Sequence, residues 1–495
     1  MMPGDSTSAT RVLSAVRGTI GLERQGSLIL ASRQKRLLFW LLLNLLVIQQ
    51  HSLFDAGPLV DGFYQNTLNN GTNHLAYFPL FHCYGAFPIR MVEFDGASVD
   101  SCEALKPFVA RQGKTLEVIP NQYNRSTVLL FYADLWLGQH PLNQLSMRPA
   151  MGLLFTLALG LVLYACYAAG HPLIGAVFVL LCASDPFQVF EAHGNPTNVF
   201  SLVITVGLLA FALVVLLLKL LRKPGRVRAA CGVAIALGAL FGVQFDMRLE
   251  GIGVFIGSAA VLLLYPRIAM RRRLPVLATY LLAAVLTNQL INTYFDRAFV
   301  QANQLVTSLG GRPAENVDTD YRTQWWAIWS GLGDYDQKYG FLVDDRAGVS
   351  YANSIVNNPD TFERTLERDV VSTIARDPSW FAGIIGRRLY AMLILNTPYR
   401  LSFGRGAFDL PVSPVVTTAG YLIALVFMLI NRKFEFAFWS ALLLSIPLVA
   451  IAQLGRYGLE FYSVLHLFVL AYVACWLVEL VLVLRSARVT EQQPI

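Results

Sequence analysis

Runs of about 17 to 24 mainly apolar residues recur along this chain, and each is long enough to cross roughly 30 Å of hydrocarbon as a helix. Inside a bilayer the backbone finds no water partner, so helices are the default spanning structure. Ten spans are expected, over residues 37–53, 151–169, 172–184, 199–221, 229–245, 251–266, 274–292, 412–430, 436–453 and 461–484. With 55% hydrophobic and 14% charged residues over 495 positions, the composition excludes an ordinary soluble enzyme.

Basic residues set the expected orientation, because Lys and Arg in short loops are retained on the cytoplasmic side. They collect before the first span (Arg11, Arg17, Arg24, Arg33, Lys35, Arg36), then at Arg222, Lys223, Arg226 and Arg228, at Arg267 and Arg271 to Arg273, and at Arg432 and Lys433. This alternation puts both termini inside. It also accounts for most of the formal charge of +7, so no nucleic-acid partner is expected. The first 30 residues lack the short apolar core and small-residue cleavage site of a removable signal, and the first span is expected to stay as an anchor.

The resulting organisation is an all-α polytopic membrane protein with two large extracytoplasmic loops containing short mixed elements. A basic N-terminus (1–36) precedes the first span (37–53) and a first outer loop (54–150). A bundle of six spans (151–292), a second outer loop (293–411), three further spans (412–484) and a short cytoplasmic tail (485–495) complete it. Loops of that size usually carry function. In the first, "TLEVIPN" reads as a strand and "STVLLFYADLWLG" as an interfacial stretch. In the second, "NPDTFERTLERDVVSTIARDP" reads as a soluble helix with acids early and arginines late, as the helix dipole favours. Residues 379–396 read as an interfacial helix, since a true span would bury Arg387 and Arg388 and invert every later loop. Cys166, Cys182, Cys231 and Cys475 fall in spans, whereas Cys83 and Cys102 share the first outer loop, where they are either bonded to each other or free thiols.

Candidate site residues gather at the outer ends of the spans. Asp55 and Asp61 follow the first span, and Asp61 stands in a "VDGFYQ" turn. Asp185, Glu191, His193 and Asn195 crowd "SDPFQVFEAHGNPTN", where Pro186, Gly194 and Pro196 break the helix. Asp246, Arg248 and Glu250 sit in the tight "FDMRLEG" turn. A cationic group comprises Arg387, Arg388, Arg400, Arg405 and Arg456, the last beside Tyr457. Guanidinium forks suit a phosphate, so exterior carboxylates beside exterior arginines suit a lipid phosphate as substrate. The competing structural roles are helix capping for the acids and headgroup anchoring for the arginines. The sequence contains no Walker A loop, GxSxG elbow or HExxH pair.

In order along the whole chain, "FDAGPLVDGFYQ", "SDPFQVFEAHGNPTN", "MRLEG", "RDPSWFAGIIGRRLYAML" and "GRYGLEFYSVLHLF" resemble the GT-C superfamily of polytopic glycosyltransferases, such as the protein mannosyltransferases and the bacterial aminoarabinose lipid A transferase. The resemblance implies transfer of a sugar from a polyprenyl-phosphate-linked donor to the hydroxyl of a lipid, glycan or protein acceptor at the periplasmic face of a bacterial inner membrane. Asp61 is then the expected general base, with Asp55, Asp185 and Glu191 as further catalytic carboxylates. Arg248, Glu250, Arg387, Arg388, Arg456 and Tyr457 are the expected substrate and phosphate contacts. The second acidic loop has no compact Asp-x-Asp or Asp-Glu pair, so no cofactor is expected, and a divalent cation lacks its usual motif. The rival reading is a transporter or flippase of a lipid-linked glycan. Against it, the middles of most spans are plain Leu, Val and Ala, whereas transporters usually carry charged or broken helices there. An assembly partner without an active site is a third class.

Overall fold

The computed structural model describes residues 148–169, 172–185, 200–245, 251–265, 268–313, 324–333, 338–341 and 359–390, with shorter pieces at 37–38, 41–46, 83–84, 89–91, 101–111, 116–118, 400–403 and 406–409 and isolated positions between 419 and 481. These residues are mostly helical. Among them four helices are long and apolar enough to cross a membrane, Gly152–Ala169, Thr205–Arg222, Val227–Gln244 and Met270–Ser308, and two shorter apolar helices accompany them. By length and composition this is a membrane protein.

The bundle runs through α2 (Arg148–Ala169), α3 (Pro172–Ser184), α4 (Phe200–Arg222), α5 (Val227–Phe245), α6 (Gly251–Leu264) and α7 (Met270–Ser308). Pro172 opens α3 at the position where a missing N–H costs nothing. Lys219 and Arg222 close α4, where the helix dipole favours cations. Gly225, at φ 76°, supplies the left-handed residue that turns the chain from α4 into α5. Arg222 then donates to the Tyr265 hydroxyl beyond α6 and lies 5.4 Å over its ring, tying the C-terminal ends of α4 and α6 together.

Two apolar cores form on opposite sides of α4. Leu208, Phe211, Ala212 and Val215 face Phe155, Leu159 and Val162 of α2 and Phe178 and Cys182 of α3. Leu46 joins this core from the first expected span, and Leu467 and Ala471 from the last. On the other side Val206, Ala210, Val214 and Leu217 of α4 meet Ala234, Leu237 and Phe241 of α5, Leu262 of α6 and Val276 and Tyr280 of α7. The closest helix pair is α5 with α7. Gly238 and Gly242, one turn apart, let the backbones approach until a Cβ on Gly242 would stand 2.6 Å from Thr287 Cβ and 2.7 Å from the Ala284 carbonyl oxygen. Asn288 Nδ2 donates to the Gly242 carbonyl at 3.5 Å, and Tyr280 donates to the Phe255 carbonyl at 3.1 Å.

Five of the expected spans in this bundle agree with helices to within a few residues. The sixth does not stop near residue 292 but continues to Ser308. A helix of 39 residues far exceeds the length that roughly 30 Å of hydrocarbon requires. Beyond residue 292 the hydropathy falls, yet Phe295, Ala298, Phe299, Ala302 and Val306 keep one buried face at helical spacing. Apolarity located the lipid, not the end of the helix. The extension carries the chain to Arg312, whose carbonyl accepts from Val118 N at 3.2 Å.

Val118 belongs to a small unit within the first long loop. Strand β1 (Ile89–Met91) pairs antiparallel with β2 (Leu116–Val118), which lies inside "TLEVIPN" as expected, and α1 (Cys102–Arg111) lies between them in the chain. Cys83 and Cys102 are joined by a disulfide, which settles the question their spacing leaves open. In the second loop, α8 (Gln324–Leu332), α9 (Pro359–Arg376) and α10 (Pro378–Tyr390) are followed by the hairpin of β3 (Arg400–Phe403) and β4 (Gly406–Asp409). Helices α9 and α10 fall on the expected soluble and interfacial helices. The spans expected at 412–430 and 436–453 lie outside the described residues apart from position 419.

Because neither backbone at the α5–α7 contact can retreat without breaking its own helix, Gly242→Val is expected to lower stability by about 1–3 kcal/mol. Thermal unfolding of the purified protein in lipid, with an unchanged midpoint for the variant, would contradict the packing described.

Candidate functional site

Helices α8, α9 and α10 enclose a small core. Leu366, Val370 and Ile374 recur at helical spacing on α9, and Trp380 and Ile384 on α10, meeting Ile328, Trp329 and Leu332 of α8. Aromatic rings fill the gap. Trp380 packs edge-on to Tyr339 at 4.9 Å and stacks on Phe341 at 5.8 Å, while Trp329 meets Phe341 at 5.5 Å.

Asp377 joins α9 to α10 and caps the latter. Its Oδ1 accepts from Trp380 N at 3.0 Å and from Ser379 Oγ at 2.8 Å, the geometry that satisfies the unpaired donors of a helix start. Its Oδ2 accepts from Lys338 Nζ at 2.8 Å and from Tyr339 Oη at 2.9 Å. These donors, Lys338 foremost, hold the Asp377 carboxyl well below the usual carboxylate range. The same bond raises the Lys338 ammonium above its ordinary value. Lys338, half-exposed, also stands 5.1 Å from the Tyr339 ring centre.

Two adjacent arginines of α10 have different surroundings. Trp380, Ile384 and Arg388 recur every four residues, so Arg388 continues the inward stripe and is fully buried, one of the largest enclosed side chains in the described structure. Its guanidinium occupies the space over Gly331 of α8, where a Cβ would meet Nη2 at 3.0 Å. Arg387, one residue away on the helix, points outward and lines an open cleft of about 270 Å³ with Lys338, Asp377, Ser379, Trp380, Gly383 and Ile384.

Helix α10 is also tied to the bundle. Its Ile385 packs against the first core, to which α3 belongs, and β3, which carries Arg400, packs against α3 itself. Helix α3 ends in a buried pair, Ser184 at 2% and Asp185 at 4% exposure, and Asp185 N continues the helical ladder by donating to the Leu181 carbonyl at 3.0 Å. Three further polar side chains are buried in the described bundle: Thr205 near the start of α4, Gln244 at the end of α5 and Ser258 within α6. Gln244 continues the inward stripe of Ala230, Ala234, Leu237 and Phe241, and neither its Oε1 nor its Nε2 has a hydrogen-bond partner among the described residues.

Of the expected site residues, Asp185, Arg387, Arg388 and Arg400 are described. Asp55, Asp61, Glu191, His193, Asn195, Asp246, Arg248, Glu250, Arg405, Arg456 and Tyr457 lie outside the described residues. Sequence reasoning missed Lys338 and Asp377. The "RDPSW" signal was present, with an Asp before Pro at a helix start, but nothing local announces that Lys338 reaches it across 39 positions.

The latch between Lys338 and Asp377 has a defined pH window. A depressed carboxyl stabilises fully above its unfolded value near about 4 and loses that contribution as pH falls through the lower folded value; a raised ammonium does so below about 10 and loses it as pH rises through the higher folded value. The wild-type thermal midpoint should therefore exceed that of Asp377→Asn by a constant margin between about pH 5 and 9, with the margin shrinking below about pH 4. A margin that grows on acidification would contradict the assignment.

Comparison with models of known families, with characterised proteins and with solved structures finds no match to this chain.

Proposed function

We propose that this protein is a membrane glycosyltransferase of the GT-C type, moving a sugar from a polyprenyl-phosphate-linked donor to an acceptor hydroxyl on the extracytoplasmic side. The observation that carries the reading is a carboxylate, Asp185, buried at the end of α3, the helix on whose core and flank α10 and β3 pack. A carboxylate enclosed at the end of an apolar helix is costly unless it has partners, and such residues tend to mark a site. The disulfide between Cys83 and Cys102 fits a first loop exposed to an oxidising compartment.

In this reading an acceptor hydroxyl, a poor nucleophile, loses its proton to a positioned carboxylate as the glycosidic bond forms. Asp61 is the base, and Asp55, Asp185 and Glu191 orient the acceptor and the sugar. Negative charge grows on the departing lipid phosphate, so fixed guanidinium groups favour the transition state over the ground state. Arg248 and Arg456, with Glu250 and Tyr457 beside them, take that role. Helix α10 lines the sideways path by which a lipid donor reaches the site, with Arg388 holding it against α8 and Arg387 facing outward.

Purified protein in lipid, supplied with a set of polyprenyl phosphate sugars, should transfer label to an acceptor. Asp61→Asn and Asp185→Asn should each slow transfer by about 100-fold or more. Full activity in Asp61→Asn would remove the base assignment. Failure with every donor, together with measurable lipid translocation, would favour the flippase.

A further inference from the structure

The geometry points to a headgroup seat for an anionic phospholipid in the cleft between Lys338 and Arg387. Asp377 offers four lone-pair directions, and four donors take them: Lys338, Tyr339, Ser379 and the Trp380 amide. The one carboxylate of the cleft is therefore saturated and has nothing left to offer a ligand. Arg387, in contrast, makes no hydrogen bond or ion pair within the described residues. A cleft with donors to spare and its carboxylate filled selects an acceptor, and a guanidinium beside an ammonium selects an oxyanion such as phosphate.

The same accounting decides what the phosphate is attached to. A choline or ethanolamine headgroup brings its own cation, which would need a carboxylate or an aromatic face. The carboxylate is taken, and the Tyr339 ring already has Lys338 at 5.1 Å and Arg376 at 5.9 Å. A phosphodiester ending in an uncharged alcohol, as in phosphatidylglycerol, brings no such conflict. A lipid source is favoured over a soluble phosphate because α10 is docked on the apolar bundle through Ile385. Its outward side is also smooth, with Ala382, Gly383 and Gly386 exposed in the turns before Arg387. A Cβ at Gly383 or Gly386 would meet nothing within 4 Å, so a headgroup can lie close against the helix backbone there. This seat does not depend on the sugar-transfer reading: it would fix the α8–α10 unit on the membrane surface in a transporter as well.

The test is lipid retention by the full-length protein, released from nanodiscs holding equal phosphatidylglycerol and phosphatidylethanolamine and weighed by native mass spectrometry. Phosphatidylglycerol should be retained preferentially. Arg387→Gln should weaken that retention by about tenfold, the usual effect of losing a charge-assisted hydrogen bond. Gly383→Leu keeps every charge and improves helix propensity, so it should fold at least as well as the wild type while its side chain fills the cleft and abolishes the preference. Equal retention of the two lipids by the wild type, or an undiminished preference in folded Gly383→Leu, would overturn the seat. Displacement of phosphatidylglycerol by equimolar polyprenyl phosphate, or by inorganic phosphate alone, would overturn the bulk-lipid assignment and give the cleft to the carrier or to a soluble anion.

Discussion

Helix α4 is apolar on every face between Val206 and Leu218, and none of those residues is exposed. Among the described residues α2 and α3, with Leu46, Leu467 and Ala471, cover one side and α5, α6 and α7 the other, and this single enclosed element is why two apolar cores exist and why they are held together. Its two basic residues, Lys219 and Arg222, appear only in the last turn, where the helix meets the basic end of the bundle. The arrangement of the remaining helices follows from which side of α4 each one covers. Helices α5 and α7 complete their side by approaching so closely that glycine is the only residue the contact admits at positions 238 and 242.

The unit of α8, α9 and α10 obeys a different balance. Its core is small and aromatic, and two charged groups are built into its frame. Asp377 caps α10 and is satisfied by four donors; Arg388 is enclosed where an apolar residue would normally continue the stripe. Enclosing a guanidinium costs several kcal/mol unless hydrogen bonds and geometry offset it, so such a residue is weak evidence for stability and better evidence for a fixed arrangement. The consequence is that α10 can present Arg387 outward in one orientation, set by the neighbour that points in.

Much of this was legible locally. The helices α2 to α6 lie where apolar runs predict them, because a bilayer rewards unbroken apolarity over a fixed length. Helices α9 and α10 lie where the charge order of "NPDTFERTLERDVVSTIARDP" and the arginine pair within residues 379–396 place them. The end of α7 was not legible from hydropathy, because a fall in apolarity changes what can cover the helix without ending its hydrogen-bond ladder. Of the expected site, the described residues offer Asp185 as a buried group at a helix end and the arginines of α10 as two unlike neighbours; the sequence shows "RR" as a pair, and helical geometry separates them.

The sequence by itself determined that this chain belongs to a membrane and where the helices α2 to α6, α9 and α10 lie. Each of those depends on a length or a charge order read within one segment. Only the tertiary structure decided that Cys83 and Cys102 bond, that Lys338 latches Asp377, that Gly331 makes room for Arg388, and that α10 and β3 come to lie on α3 and its core. Those depend on distances between residues far apart along the chain, which local patterning does not specify and which packing around α4 and within the aromatic core imposes.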